Sequence, residues 1–181
     1  NKVPHVKLMI IGDGDYSAYQ KLAQELGIAE QVLFTGVQMN PFALLAKADV
    51  YALTSDSEGF PNALIEAMAV GLPCVSVNCK TGPAEILQND YQQCAAQDKV
   101  YHADYGILTP VFYGGKNLDA SMISQEEEIF AGELVELLLN QKLMALYRNK
   151  ALYRANQFGV DAYVREIDRL IVQELEWPEV E

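Results

Sequence analysis

Short apolar runs alternate with helical spacings along the first ninety residues. "VKLMIIG" (6–12) is apolar, rich in branched side chains and closed by glycine, which predicts a buried strand. "YSAYQKLAQELG" (16–27) carries apolar residues at Tyr19, Leu22, Ala23 and Leu26, a helical spacing, with Gly27 as its C-cap. "QVLFTG" (31–36) predicts a second strand, and "PFALLAKA" (41–48) a short helix opened by proline. "DVYALTS" (49–55) predicts a third strand. A helix over 61–70 follows, with Pro61 at its start, Gly71 past its end and Pro73 as a stop. "PCVSVN" (73–78) reads as a fourth strand and "GPAEIL" (82–87) as the start of another helix. Four strand–helix units in a row predict an α/β domain, a doubly wound parallel sheet with helices on both faces.

The pattern then weakens. Residues 88–104 are polar with little periodicity and read as a loop or excursion. "YGILTP" (105–110) predicts a last strand, and 111–127 a loop. From about Gln125 the spacing is helical to near the end: one helix through "EEIFAGELVELLLN", a second closed by Gly159, and a third with Asp161 as N-cap. The last two are amphipathic, as helices covering a sheet are. We divide the chain into an α/β domain over 1–159 and a C-terminal helical extension over 160–181.

Composition narrows the chemistry. The chain of 181 residues is half hydrophobic, ordinary for one well-cored domain with an added tail. Its 25 acids and 13 bases give a net charge of −12, which argues against nucleic acid as a partner. The longest uncharged run, Ala67 to Cys79, is broken by Gly71 and Pro73 and is too short to span a bilayer. Cys74, Cys79 and Cys94 have neither metal-ligand nor redox spacing and read as buried thiols in a reducing compartment. With His5 and His102 the only histidines, no structural zinc site is expected. No signal peptide is visible, and the chain starts almost inside a strand, so it reads as a segment of something longer.

One feature resists the bland reading. Between Pro61 and Val70 every residue is apolar or small except Asn62 and Glu66, and a second acid, Glu58, precedes the helix. An unpaired buried carboxylate costs several kcal/mol. Glu66 therefore reaches solvent, pairs with a base, or lines a cleft where it accepts hydrogen bonds from a ligand. Position favours the cleft. Ligands of open parallel sheets collect beyond the carboxyl ends of the strands, where the next helices begin. The backbone N–H groups around Phe60, Asn62 and Ala63 would be unpaired donors at a helix N-terminus, suited to phosphate. Glu58 and Glu66 would flank that anion site about 10 Å apart by helix rise. Carboxylates suit vicinal hydroxyls, so the row fits a nucleotide sugar: hexose near Glu58, diphosphate at the helix mouth, ribose near Glu66.

These residues carry a resemblance. Glu58-Gly59-Phe60-Pro61-Asn62-Ala63-Leu64-Ile65-Glu66 resembles the E-x7-E motif of retaining GT-B glycosyltransferases of family 4. "LMIIGDG" resembles that family's Gly-x-Gly strand turn, "VLFTG" its V-x-F-x-G strand, "TGPAEIL" its glycine turn before the next helix, and "YGILTP" its G-x-L-x-P strand. The likeness is strong over 6–87 and looser over 105–175. It implies the Rossmann-like, donor-binding half of a GT-B fold. By that resemblance Glu58 is the catalytic contact to the donor hexose and Glu66 holds the ribose hydroxyls. Amides at Gly59–Asn62 meet the sugar and phosphates, with Pro61 and Ala63 in the same loop. Val37 and Gln38 lie at the nucleobase, and Gly12 and Gly14 form a phosphate-approaching turn.

The same resemblance implies transfer of a hexosyl unit from a nucleotide diphosphate sugar to a glycan or lipid-linked acceptor, with no cofactor and no metal. It places an upstream strand bearing an Arg and a Lys, and an acceptor-holding N-terminal lobe, outside this sequence. The last helix would cross back to that lobe. The chain alone is then expected to bind donor weakly and to transfer nothing. A cytoplasmic protein, with the full-length form associating peripherally with the inner face of the membrane, is the matching expectation. Two other classes fit the residues: a non-catalytic nucleotide-sugar-binding module and a GT-B nucleotide-sugar epimerase. Asp13-x-Asp15 has the form of a metal-binding DxD, but Asp and Gly after a strand are also ordinary turn residues. Gly12-x-Gly14 lacks the third glycine of a dinucleotide fingerprint. Tyr105 and Tyr113 read as packing residues, and Glu126–Glu128 as a solvated helix start.

Overall fold

The computed structural model describes residues 3–94, 98–112 and 117–175. Tyr113 and the chain beyond 175 lie outside them. The strands are β1 (Leu8–Ile10), β2 (Val32–Phe34), β3 (Tyr51–Leu53), β4 (Cys74–Val77), β5 (Tyr101–His102) and β6 (Ile107–Thr109). The helices are α1 (Ser17–Glu25), α2 (Phe42–Leu45), α3 (Asn62–Ala69), α4 (Pro83–Leu87), α5 (Gln125–Leu139), α6 (Gln141–Asn156) and α7 (Val160–Leu175). The alternation expected for a parallel α/β sheet is present.

Parallel pairing joins β3 to β4 and β4 to β6, while β1 and β2 form a separate parallel pair with Leu8 opposite Val32. The expected single sheet is thus in two pieces, a ribbon of order β1–β2 and a sheet of order β3–β4–β6–β5. The excursion at 88–104 is more ordered than its polarity suggests. Its strand β5 runs antiparallel to β6, and Gln88, buried, accepts the Asp104 N–H at 2.9 Å. The buried Asn78 donates to the Cys94 carbonyl at 2.6 Å. A two-residue strand has no period to read, so the sequence pattern missed it.

Strand alternation assigns the core. Cys74 and Leu108 face a cluster with Leu64, Ala67 and Met68 of α3 and Ala151 of α6. Val75, Val77 and Ile107 face the opposite way, onto Phe130 and Leu137 of α5 and Tyr147 of α6. Leu64, Ala67 and Met68 have the i, i+3, i+4 spacing of one helix face and are fully buried. Each of the two larger ones stabilises the fold by about 1.5–3 kcal/mol. All three cysteines are buried and free. Tyr105 is a packing residue: its hydroxyl donates to Asn89 Oδ1 at 2.9 Å, and its ring carries the Arg154 guanidinium at 4.8 Å.

Helix ends follow local chemistry. In α3 the N–H of Gly71 reaches Met68 O at 2.9 Å and that of Leu72 reaches Ala67 O at 3.1 Å, a Schellman stop. It requires the left-handed backbone of Gly71, φ 79°. Arg154 of α6 donates to Glu85 O and Ile86 O, both at 2.8 Å, satisfying carbonyls near the end of α4. The third C-terminal helix begins at Val160, two residues earlier than an N-cap at Asp161 implies. The Gly159 carbonyl receives the Ala162 and Tyr163 N–H groups, and Asp161 sits in the first turn, where the helix dipole favours an acid. Along α7, Tyr163, Val164, Ile167, Leu170 and Ile171 form an exposed apolar stripe. No helix among the described residues is long and apolar enough to cross a membrane.

Candidate functional site

The site is built where β3 ends and α3 begins. Pro61 has φ −72° and ψ 94°: its ring fixes φ but leaves ψ open, and it stands as the extended residue before the helix rather than as its first. Helix α3 therefore opens at Asn62, one position later than the pattern suggested, and no side chain caps it. Leu64 N–H bonds Pro61 O at 3.0 Å. The amides of Gly59, Phe60, Asn62 and Ala63 find no protein acceptor among the described residues. Such donors, aligned with the positive end of the helix dipole, are poised for an anion.

Glu58 is half-buried before this tip, and Glu66 half-buried one turn inside it. Glu66 has no ion-pair partner among the described residues, so of its three readings the base-paired one is gone. It lines a groove of about 500 Å³ with Phe60, Asn62 and Ile65 on one side and Gln157, Phe158, Tyr163 and Glu166 on the other. Phe60 meets Phe158 edge to face at 5.5 Å. Both acids act on a residue the sequence did not single out. The Tyr51 phenol is pushed up to about 12, by burial first, then by the Cys74 thiol and the Glu58 and Glu66 carboxylates. Two acids eight positions apart in sequence thus fall within electrostatic reach of one side chain.

The turn after β4 closes on the same loop. Thr81 donates its hydroxyl to the Glu58 carbonyl. Gly82 has φ 91°, and a Cβ there would stand 2.5 Å from Pro61 Cδ and 2.9 Å from Gly59 O. Cys79, beneath them, has its thiol pushed up by burial, an effect partly opposed by the Glu58 N–H. "TGPAEIL" marked this turn as glycine-containing. The hydroxyl contact was hidden because it joins positions 23 apart.

The remaining expected residues gather on the β1–β2 ribbon. Gly12 N–H bonds Gly36 O at 3.1 Å and Tyr16 donates to Gly12 O, so the Gly12–Gly14 turn lies beside the Val37–Gln38 segment. Val37 is exposed, and the Gln38 amide donates to Thr35 O at 2.7 Å. Asp13 accepts the Gly14 N–H and Asp15 the Ser17 N–H, each at 2.9 Å, the work of turn and helix-start residues. No group of three potential ligands among the described residues is arranged for a metal ion. The structure therefore brings Glu58, Gly59, Phe60, Pro61, Asn62, Ala63 and Glu66 together, and Gly12, Gly14, Val37 and Gln38 together, on two separate pieces of sheet. No hydrogen bond among the described residues joins the two groups.

Residues 1–104 match the family described as glycosyl transferases group 1. An uncharacterized glycosyltransferase of Methanocaldococcus jannaschii is 34% identical over 174 residues, 94% of this chain and 43% of that protein. The lipopolysaccharide 1,6-galactosyltransferase of Escherichia coli K12 is 40% identical over 89 residues, 46% of this chain and 25% of that one. The chain thus spans less than half the length of these relatives. Among solved structures, Anabaena HepE in complex with UDP superposes with a TM-score of 0.66 at 24% identity, covering 94% of this chain and 42% of that one. The pneumococcal O-GlcNAc transferase GtfA, in complex with UDP and GlcNAc, gives 0.68 at 17%, covering 94% and 30%. At these identities the structural likeness establishes the fold.

Proposed function

We propose, from the premise that this chain belongs to the glycosyl transferases group 1 family, that it is the donor-binding lobe of a retaining family 4 transferase. The whole protein moves a hexosyl unit from a nucleotide diphosphate sugar to a glycan or lipid-linked acceptor. The observation that carries the reading is the uncapped tip of α3, with unpaired amides and a half-buried carboxylate on either side. Relatives named for lipopolysaccharide and undecaprenol-linked sugar transfer support the acceptor class.

In this reading the Asn62 and Ala63 amides hold the diphosphate, Glu66 takes the ribose hydroxyls through its two oxygens, and Glu58 orients the hexose. As the anomeric carbon gains positive charge, Glu58 stabilises it, and the helix tip stabilises the charge left on the diphosphate. The leaving phosphate oxygen takes the acceptor proton, so the lobe needs neither metal nor side-chain nucleophile. Val37 and Gln38 meet the nucleobase, and the Gly12–Gly14 turn approaches the phosphates. The acceptor lies on a second lobe, reached by α7, and the whole protein works in the cytoplasm, peripherally at the membrane. By itself the lobe binds donor weakly and transfers nothing.

The test is a titration of the chain with UDP, GDP, UDP-glucose and GDP-mannose, following amide resonances of residues 58–66. Glu66→Ala is expected to weaken nucleotide binding about tenfold, the size of a hydrogen bond to a charged group. If it weakens binding no more than Glu30→Ala on the exposed surface, the ribose assignment is wrong.

A further inference from the structure

We propose that Thr81 is a positioning residue for the donor loop: its hydroxyl fixes the Glu58–Gly59 peptide so that the Gly59 N–H faces the hexose. The proposal rests on the donor-lobe reading and adds to it a residue that touches no ligand. The described residues contain no cis peptide bond. In a trans peptide the C=O and the following N–H point in opposite directions. Anchoring Glu58 O on Thr81, inside the turn after β4, therefore turns the Gly59 N–H outward, away from that turn. Gly59 is exposed, and its amide has no acceptor in the protein among the described residues. The peptide leaves from Glu58, the acid at the hexose end, whereas the Asn62 and Ala63 amides sit at the helix tip.

Gly82 supports the same anchor independently. Its missing Cβ is what lets Pro61 Cδ and Gly59 O approach. The 81–82 turn thus grips the loop at three points: the carbonyl of Glu58, the carbonyl of Gly59 and the ring of Pro61. Thr81 is exposed on the outside of this grip, so replacing it does not open the core. A peptide plane held at one oxygen can still rock about its flanking bonds. With the hydroxyl gone, the Gly59 N–H samples orientations in which it no longer meets a sugar oxygen.

Thr81→Val keeps the shape and removes the donor, and Thr81→Ser restores it. The chain and both variants are titrated with UDP-glucose and GDP-mannose and with UDP and GDP alone. For whichever pair binds, Thr81→Val is expected to weaken the sugar conjugate about five- to tenfold, one ordinary hydrogen bond, and the free diphosphate less than twofold. Thr81→Ser regains the difference. In the unliganded chain the Gly59 amide resonance moves in Thr81→Val and returns in Thr81→Ser. Equal weakening of conjugate and diphosphate would mean a merely structural role and overturn the proposal, as would an unmoved Gly59 amide. If the unaltered chain binds none of the four compounds, the donor-lobe reading itself fails and takes the proposal with it. A Gly59 shift that still follows the hydroxyl would identify that second case.

Discussion

Tyr51 and Tyr147 bear the charge environment of the fold in a measurable way. Both phenols are pushed up to about 12, with burial as the first cause. Carboxylates add to it: Glu58 and Glu66 at Tyr51, Glu133 and Asp104 at Tyr147. In an unfolded chain a tyrosine ionises near 10. Between about pH 10 and 12 the unfolded chain thus gives up protons that the folded one retains. Stability contributed by these groups is complete below pH 10 and is lost as pH rises toward 12. Denaturant titration over that range is expected to show falling stability, with a shallower fall in Tyr147→Phe. Residues also mark how far the sequence could be read. Glu66 was legible because a lone charge inside an apolar helix needs a reason. Thr81 was not, since a threonine in a turn carries no pattern and its acceptor is a main-chain oxygen of another loop. Gly82 was legible as a turn residue, but the lack of room for a Cβ there is a property of packing.

Elements were legible where they are long or have a chemical stop. Helix α3 ended as its Gly71 required, and the three C-terminal helices were found by their spacing. The start of α5 held more than its acids suggested. Ser124 Oγ accepts the Glu127 N–H at 3.1 Å, and the Glu127 carboxylate accepts the Ser124 N–H at 2.7 Å, a reciprocal capping box. The S-x-x-E spacing carries that signal in the sequence, where the three acids alone point only to a solvated start. Ser124→Ala is expected to cost about 1 kcal/mol in urea denaturation without changing the slope. Strand β5 was illegible for the opposite reason. Tyr101 and His102 are held by a short hairpin pairing with β6 and by His102 contacting Glu133 of α5 at 3.1 Å, and two residues leave no alternation to read.

At the scale of the molecule, alternation of strands and helices gave the α/β class, and what it could not give was continuity. Each of β1 and β3 has one strand neighbour among the described residues. The family resemblance implies a further strand upstream of Asn1, which these two edges would flank. Extending the chain upstream through that strand is expected to raise Tm by about 4 °C or more, the equivalent of at least 1 kcal/mol for this size, by calorimetry. An unchanged Tm would put the strand elsewhere. The division also bears on how a ligand would be held. The residues assigned to the nucleobase, Val37 and Gln38, ride on the β1–β2 ribbon, and those assigned to the ribose and the hexose, Glu66 and Glu58, on the larger sheet. A molecule long enough to touch both acts as a rivet between two plates. It locks their mutual angle, and cutting it to either half forfeits that stiffness as well as the contacts removed.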